Sequence, residues 1–278
     1  MSKSVSASIV LYKHYQNQLT PLINELVTDE CVKKIYLIDN GGSEWAESFI
    51  SEKIYYLGGH GNIGYGAGHN LALFHQMNDC DFHLVCNPDI RIPEGTLKGM
   101  LEFTAERTAG LYMPRILYPD GREQELCKLL PSPADLFGRR FLPWLANKRD
   151  HRYLLRARDY EKLLFVPYLS GCFMFLSTTS ARRQGGFDER FFMYLEDTDL
   201  SRRIAWQDGA LYIPRYHVYH EYQKGSYHSL RLLMLHIRST IQYFNKWGWV
   251  VDKQREELNA RCLGQLKKNE IQNFSAYK

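Results

Sequence analysis

Short, mainly apolar runs at 6–12, 34–38, 54–57 and 82–86 have the length of strands and little polar alternation, as expected for strands covered on both faces. Between the first two, Leu19, Leu22, Ile23, Leu26 and Val27 recur at helical spacing over 19–27. A second helix is expected over 71–77, and a third over 93–107 through Leu97, Met100, Leu101 and Phe103. Residues 111–117 read as a strand ending at the turn Tyr118-Pro119-Asp120-Gly121, and 165–176 as an apolar strand region interrupted by Ser170-Gly171. A short strand at 210–213 follows, with 214–220 leading away from it and a long helix over 226–245. Strands alternating with helices argue for a parallel α/β sheet whose ligands bind beyond the carboxyl ends of the strands. Asp39, Asn40, Asn87 and Asp89 fall at that edge.

The alternation breaks at 129–164, a stretch rich in proline and basic residues that reads as an insertion rather than a separate domain. Of the chain's 278 residues, 138–162 hold eight Lys or Arg against three acids, so the net charge of +4 is concentrated there. Cys31, Cys80, Cys86, Cys127, Cys172 and Cys262 are scattered, with no metal-binding spacing, and Cys86 and Cys172 lie inside apolar runs, which suggests reduced, buried thiols. The chain runs directly into its first strand, and no apolar run approaches the roughly 18 residues of a membrane span. A cytoplasmic protein is expected.

Candidate chemistry concentrates in 185–203. Asp188, Glu189, Glu196, Asp197 and Asp199 sit among Phe191, Phe192 and Tyr194 and just before Arg202-Arg203. So many carboxylates beside aromatics cost desolvation and mark a site, although an acidic, capped helix start would carry the same residues. Asp197 can cap or open a helix through Leu200 and Ile204, with Arg202 and Arg203 turned toward solvent or the first-turn acids. A second candidate is 58–70, whose Gly64, Gly66 and Gly68 have neither the spacing of a dinucleotide fingerprint nor a P-loop lysine. It suits close approach of a nucleotide to the backbone, or simply a tight turn. Asn87-Pro88-Asp89 offers one carboxylate past a buried strand, enough for a hard cation that also takes substrate phosphates. His217 or His220 could add an imidazole and shift preference from Mg2+ toward Mn2+.

Taken in order, Asp39-Asn40-Gly41-Gly42, the run from Asn62 to Asn70, Asn87-Pro88-Asp89, Pro114-Arg115-Ile116 with Asp120-Gly121, Ser170-Gly171-Cys172-Phe173-Met174 and the run from Gly186 to Asp199 resemble glycosyltransferase family 2. The similarity spans roughly 6–220 and is strongest to bacterial rhamnosyltransferases that build O-antigen and related surface polysaccharides, including lipopolysaccharide. It implies a GT-A fold: a Rossmann-like, nucleotide-binding mixed sheet flanked by helices over 1–225, with a C-terminal helical extension over 226–278. It also implies an inverting, metal-dependent transfer, with dTDP-rhamnose as donor and a lipid-linked saccharide as acceptor. Asp39 would contact the base or ribose, and Asn40, Asn62, Gly64, Gly66, Asn70, Asn87 and Glu196 would complete the substrate and nucleotide site. Asp89 would be the metal-binding acid of an Asp-x-Asp position whose first member is Asn87 here, His220 a second metal ligand, and Asp197 the catalytic base. A UDP-hexose or UDP-N-acetylhexosamine donor, or a non-catalytic nucleotide- or glycan-binding protein, is the alternative.

Two further stretches bear on partners. The run 137–145 interleaves Arg139 and Arg140 with Phe141, Leu142 and Trp144, which suits either docking on the inner membrane's anionic face or a solvated basic loop. Leu230, Leu233, Ile237, Ile241 and Phe244 form a helical stripe expected to serve as core or as a homo-oligomer surface before membrane contact. Nucleic-acid binding is not expected, because no aromatic platform or recognised module accompanies the basic run.

Overall fold

The computed structural model describes residues 3–141, 147–156, 159, 161–221 and 230–276, with the side chains of 138–141, 147–149 and 267–276 outside the description. The basic cluster from Arg139 to Trp144 therefore lies outside the described side chains. In chain order the elements are β1 (Val5–Leu11), α1 (Gln16–Thr28), β2 (Val32–Asp39), β3 (Ile54–Leu57), α2 (Tyr65–Leu73), β4 (Phe82–Cys86), β5 (Ile90–Arg91), α3 (Thr96–Glu106), β6 (Leu111–Leu117) and β7 (Cys127–Lys128). They continue with α4 (Pro133–Phe141), α5 (Asn147–Tyr153), β8 (Leu164–Phe165), β9 (Tyr168–Leu169), β10 (Phe173–Ser177), α6 (Thr178–Arg183), α7 (Glu196–Gln207), β11 (Ala210–His220), α8 (Leu230–Trp247) and α9 (Lys253–Ala276).

The main sheet runs β3-β2-β1-β4-β10-β6-β11-β5, with β8 also paired to β11. Its first four strands are parallel, as the alternation predicts. The second half departs from a purely parallel sheet, because β10 enters antiparallel between β4 and β6, and β5 and β8 pair antiparallel with β11. That insertion brings the loop before β10 to the carboxyl end of β4, where Asn87 N–H donates to Cys172 O at 2.9 Å. The apolar run 165–176 is divided among β8, β9 and β10 rather than forming one strand.

Two differences from the sequence reading shape the site. The expected helix at 71–77 starts earlier, at Tyr65, so Gly66 and Gly68 lie inside α2. A Cβ at Gly66 would come within 2.8 Å of Phe187 Cβ, and one at Gly68 within 2.8 Å of Val10 Cγ2, so these glycines allow close helix packing. The second difference is β11, which does not stop at Ile213. Its register with β6 jumps from Ile213↔Pro114 to His217↔Arg115, so Pro214-Arg215-Tyr216 bulge out while the strand continues to His220. There it pairs with β5, His220 opposite Ile90, which places the imidazole beside Asp89.

The insertion packs onto the core: Leu129, Leu130, Tyr153, Leu154 and Leu155 are all buried in it. So are Leu258 and Cys262 of α9. Phe191 and Leu195, from the acidic stretch, form a separate cluster with Tyr243 and Phe244 of α8. The C-terminal stripe is thereby split, for Phe244 is buried whereas Leu230 and Ile241 are exposed. All six cysteines are free thiols. No helix among the described residues is long and apolar enough to cross a membrane.

Candidate active site

At the end of β2, Asp39 folds its own loop around itself. Its carboxylate accepts from Gly41 N–H at 2.7 Å, Ser43 N–H at 3.2 Å and Tyr56 O–H at 3.0 Å. Burial and that bond to Asp39 push the Tyr56 phenol up to about 12, so the hydroxyl remains a donor. Asn40 donates to Gly64 O at 2.9 Å and approaches Asn62 Oδ1 at 3.4 Å, while its own Oδ1 is buried without a hydrogen bond among the described residues. Asn62 is exposed and accepts from Gly64 N–H. Gly64 has φ +99°, and a Cβ there would lie 2.4 Å from Phe192 O, the carbonyl to which Tyr65 N–H donates at 3.0 Å. At Gly64 and Tyr65 the glycine-rich loop thus abuts the acidic stretch through backbone. Asn70 latches the same two pieces, with Oδ1 accepting from Phe187 N–H and Nδ2 donating to Phe187 O, both at 2.9 Å. Its amide also donates to Glu189, so Asn70 is occupied in joining α2 to 187–189.

Beyond β4, Asn87, Asp89 and His220 come together. Gln124 Nε2 donates to His220 O at 2.8 Å, so its Oε1 must accept from His220 Nδ1 at 2.9 Å, which sets the tautomer with the proton on Nδ1. Nε2 then faces Asn87 Nδ2 at 3.4 Å and Asp89 Oδ1 at 3.3 Å. Asp89 Oδ1 is buried and has no hydrogen bond among the described residues. An imidazole nitrogen and a carboxylate oxygen converging in this way are complementary to a cation or to a second ring proton. His217 is elsewhere, its ring edge-on to Tyr219. Among the described residues no group of three or more His, Cys, Asp or Glu is arranged around a metal position. Any ion held here would therefore draw its remaining ligands from substrate oxygens or water.

Asp197 opens α7 in the company of Glu196. Its Oδ2 accepts from Gly171 N–H at 2.8 Å and Tyr168 O–H at 3.3 Å, and its Oδ1 from Thr198 N–H at 2.7 Å. Burial, followed by the Asp197 charge, raises the Tyr168 phenol well above its ordinary value and keeps it a donor. Glu196 differs: it is 6% exposed, its Oε2 has no hydrogen bond among the described residues, and burial plus the neighbouring Asp197 hold its carboxyl well above the usual range. Its carboxyl therefore holds its proton to higher pH than an ordinary glutamate, beside a carboxylate that accepts hydrogen bonds. Tyr65 connects the two centres, its hydroxyl donating to Gly171 O at 2.7 Å and lying 3.0 Å from Asn87 Oδ1.

The approach to Asp197 is bent and tightly held. Tyr194 and Leu195 are consecutive left-handed residues, at φ 70° and 66°, a conformation costing about 1–3 kcal/mol for each such residue. The C-terminal helices hold it. Ser239 donates to Met193 O at 2.7 Å, Lys246 bridges Asp188 and Asp199, and Trp247 Nε1 donates to Asp199 at 2.8 Å. Arg203 pairs with the first-turn acid Asp199, one of the two expectations for it. Arg202 does neither of the things expected of it: it is 1% exposed, forms a bidentate pair with Asp252, and lies 3.8 Å over the Trp247 ring. The interior offers it a full set of partners, including Gln254 at 2.7 Å, so burial leaves no charge unpaired. Gln124, Tyr65, Tyr168 and Asp252 were not singled out from sequence. Tyr65 alone had a signal, its place inside the glycine-rich run.

No family profile matches the chain. It is 28% identical over 210 residues to an N-acetylglucosaminyl-diphospho-decaprenol L-rhamnosyltransferase of Mycobacterium tuberculosis, across 67% of this chain and 66% of that protein. It is 23% identical over 248 residues to rhamnosyltransferase WbbL of Escherichia coli, across 84% of this chain and 91% of WbbL. The crystal structure of GalNAc-T7 with UDP, GalNAc and Mn2+ superposes with a TM-score of 0.62 at 12% identity, across 99% of this chain and 58% of that one. The chain thus spans just under two thirds of the mycobacterial relative and less of GalNAc-T7. The mixed sheet flanked by helices is the GT-A fold, and the chain's curated relatives are rhamnosyltransferases and a hexosyltransferase.

Proposed function

We propose that the protein is an inverting glycosyltransferase that moves rhamnose from dTDP-rhamnose to a lipid-linked saccharide acceptor in surface-polysaccharide assembly. The observation that carries this reading is the Tyr65 hydroxyl, within hydrogen-bond distance of both Gly171 O and Asn87 Oδ1, standing between two separate carboxylate centres, Asp197 on one side and Asp89 with His220 on the other. A single displacement at an anomeric carbon needs such a division. One group takes the acceptor's proton, and charge is neutralised on the departing diphosphate at the opposite face.

Asp197 is the base. The donors from Gly171, Thr198 and Tyr168 fix its oxygens, and the raised Glu196 carboxyl beside it resists adding a second negative charge. As the acceptor oxygen attacks the anomeric carbon, its proton passes to Asp197, the bond to the nucleotide diphosphate breaks, and the configuration inverts. General base catalysis of this kind contributes about 10²–10⁴ in rate. Asp89 and His220 would hold Mg2+ or Mn2+, consistent with the orphaned Asp89 oxygen and the imidazole fixed by Gln124. The chemistry the ion supplies when bound is neutralisation of diphosphate charge. Asn40, through its Oδ1, and the exposed Asn62 line the approach to the nucleotide, with Asp39 fixing the loop that carries Asn40. Residues 1–225 form the catalytic unit and 226–278 the extension that holds its acidic stretch.

Names of relatives support the sugar: two are rhamnosyltransferases. The Mn2+ in the GalNAc-T7 structure supports the metal. The deciding experiment incubates the protein with dTDP-rhamnose, UDP-hexoses and UDP-N-acetylhexosamines, a polyprenyl-diphosphate saccharide and Mn2+, with mass spectrometry of the lipid product. Addition of one deoxyhexose, abolished by EDTA, is expected. Transfer from a UDP-sugar alone would replace the donor, and nucleotide binding without turnover of any donor would overturn the enzymatic reading.

A further inference from the structure

The acidic stretch leans on one side of α8, and the other side of that helix is unusual. Ser239, Tyr243 and Phe244 face inward. Leu230, Met234 and Ile241 are 82%, 64% and 41% exposed, and their spacing of four and then seven residues places them in one line along the helix. Just past the helix end, Val250 and Val251 are 83% and 71% exposed. Arg231 and Arg238, both exposed, stand along one flank of the line, and α8 contains no acidic residue.

We infer that this outer face of α8, with the exposed Val250 and Val251 just past the helix end, docks the protein on an anionic lipid surface. An apolar line one or two side chains wide, edged by arginines whose stems can lie along it while the guanidinium groups reach phosphate, matches the interfacial plane of a bilayer. The charge pattern favours lipid over a second copy of this chain. A two-fold contact through this face would set a helix bearing only cations against its own image, with no acid on α8 to answer them. Position gives the docking a purpose. The inner side of the same helix holds Met193 through Ser239, four residues before Asp197, so the bilayer surface would lie about one helix diameter, roughly 10 Å, from that segment. A lipid-linked acceptor would then meet the base without leaving the membrane plane, a purpose that rests on the function proposed above. The docking itself does not depend on which sugar is transferred.

Co-sedimentation with vesicles of phosphatidylglycerol and phosphatidylethanolamine, without nucleotide or acceptor, tests the surface directly. Binding is expected, weaker at high salt and weaker on pure phosphatidylcholine. The double variant Met234→Asp/Ile241→Asp is expected to lower the partition coefficient at least about tenfold, and Arg231→Glu/Arg238→Glu to remove its salt dependence. Both pairs are solvent-facing, so unchanged thermal melts and unchanged nucleotide binding accompany the loss. Failure to bind acidic vesicles, or equal binding by the variants, overturns the inference. So does a concentration-dependent dimer that the same substitutions dissolve. None of these outcomes touches the donor assay, so failure of the surface and failure of the proposed reaction are distinguishable.

Discussion

The two carboxylate-bearing regions are built by opposite means. Around Asp39 the partners are near in sequence: Gly41 and Ser43 lie within four residues and Tyr56 seventeen away. The stretch that carries Asp197 is instead anchored from afar, because Asn70 reaches 117 residues to Phe187, and Trp247 and Asp252 reach 48 and 50 residues back to Asp199 and Arg202. The loop that would meet the nucleotide is shaped by its own glycines and backbone amides. The segment carrying the proposed base is held in a strained left-handed pair by elements from both ends of the chain. Damage to the C-terminal helices is therefore expected to reach the base while sparing the nucleotide edge.

The largest effect belongs to Asp252→Ala. Removing one half of a buried ion pair leaves Arg202 uncompensated at a cost of about 3–5 kcal/mol, which lowers the melting temperature by about 10 °C for a chain of this length. Transfer should fall with it while nucleotide binding below the melt stays within a few fold. Replacing both partners, Arg202→Met with Asp252→Leu, should recover most of the stability. Equal loss of nucleotide binding in Asp252→Ala would break the contrast between the regions. Gly64→Ala is next, at about 1–3 kcal/mol, since φ +99° and the clash with Phe192 O strain a point where the glycine-rich loop meets the acidic stretch. Calorimetry and turnover should here decline together.

Glu196→Gln has the smallest effect, and its sign depends on pH. The folded protein keeps a proton on Glu196 that the unfolded chain releases above its ordinary value of 4.5, so the native state binds more protons and stability falls as pH rises through that window. The glutamine cannot ionise and removes this slope. The variant should melt above the parent at pH 8 and level with it near pH 4; parallel melting curves would show that Glu196 is ionised in the fold.

The same contrast explains what could be read in the sequence. β1 to β4, the glycine-rich loop and the strand-edge residues Asp39, Asn40, Asn87 and Asp89 follow from local periodicity and turn chemistry. The start of α2 was misplaced because Gly66 and Gly68 read as loop, although the close approach of Phe187 and Val10 demands glycine within a helix. The bulge at Pro214-Arg215-Tyr216 read as a strand end, since a proline breaks the pattern even where pairing resumes. Arg202 read as a cation turned toward solvent or the first-turn acids because its partners stand about fifty residues downstream on other elements. Gln124 carried no signal at all, yet it sets the tautomer of His220. Long-range polar contacts leave no period in a sequence.

The central claim is that Asp197 and Asp89 do separate work, and paired measurements on Asp197→Asn and Asp89→Asn test it most directly. Each variant is assayed for sugar transfer and, by calorimetry, for binding of the donor nucleotide in Mn2+. Asp197→Asn keeps its shape but cannot accept the proton, so turnover should fall by about 10² or more with nucleotide affinity within a few fold of the parent. Asp89→Asn should weaken the metal-dependent nucleotide affinity itself. Near-normal turnover by Asp197→Asn, or a loss of nucleotide binding equal to that of Asp89→Asn, would contradict the account.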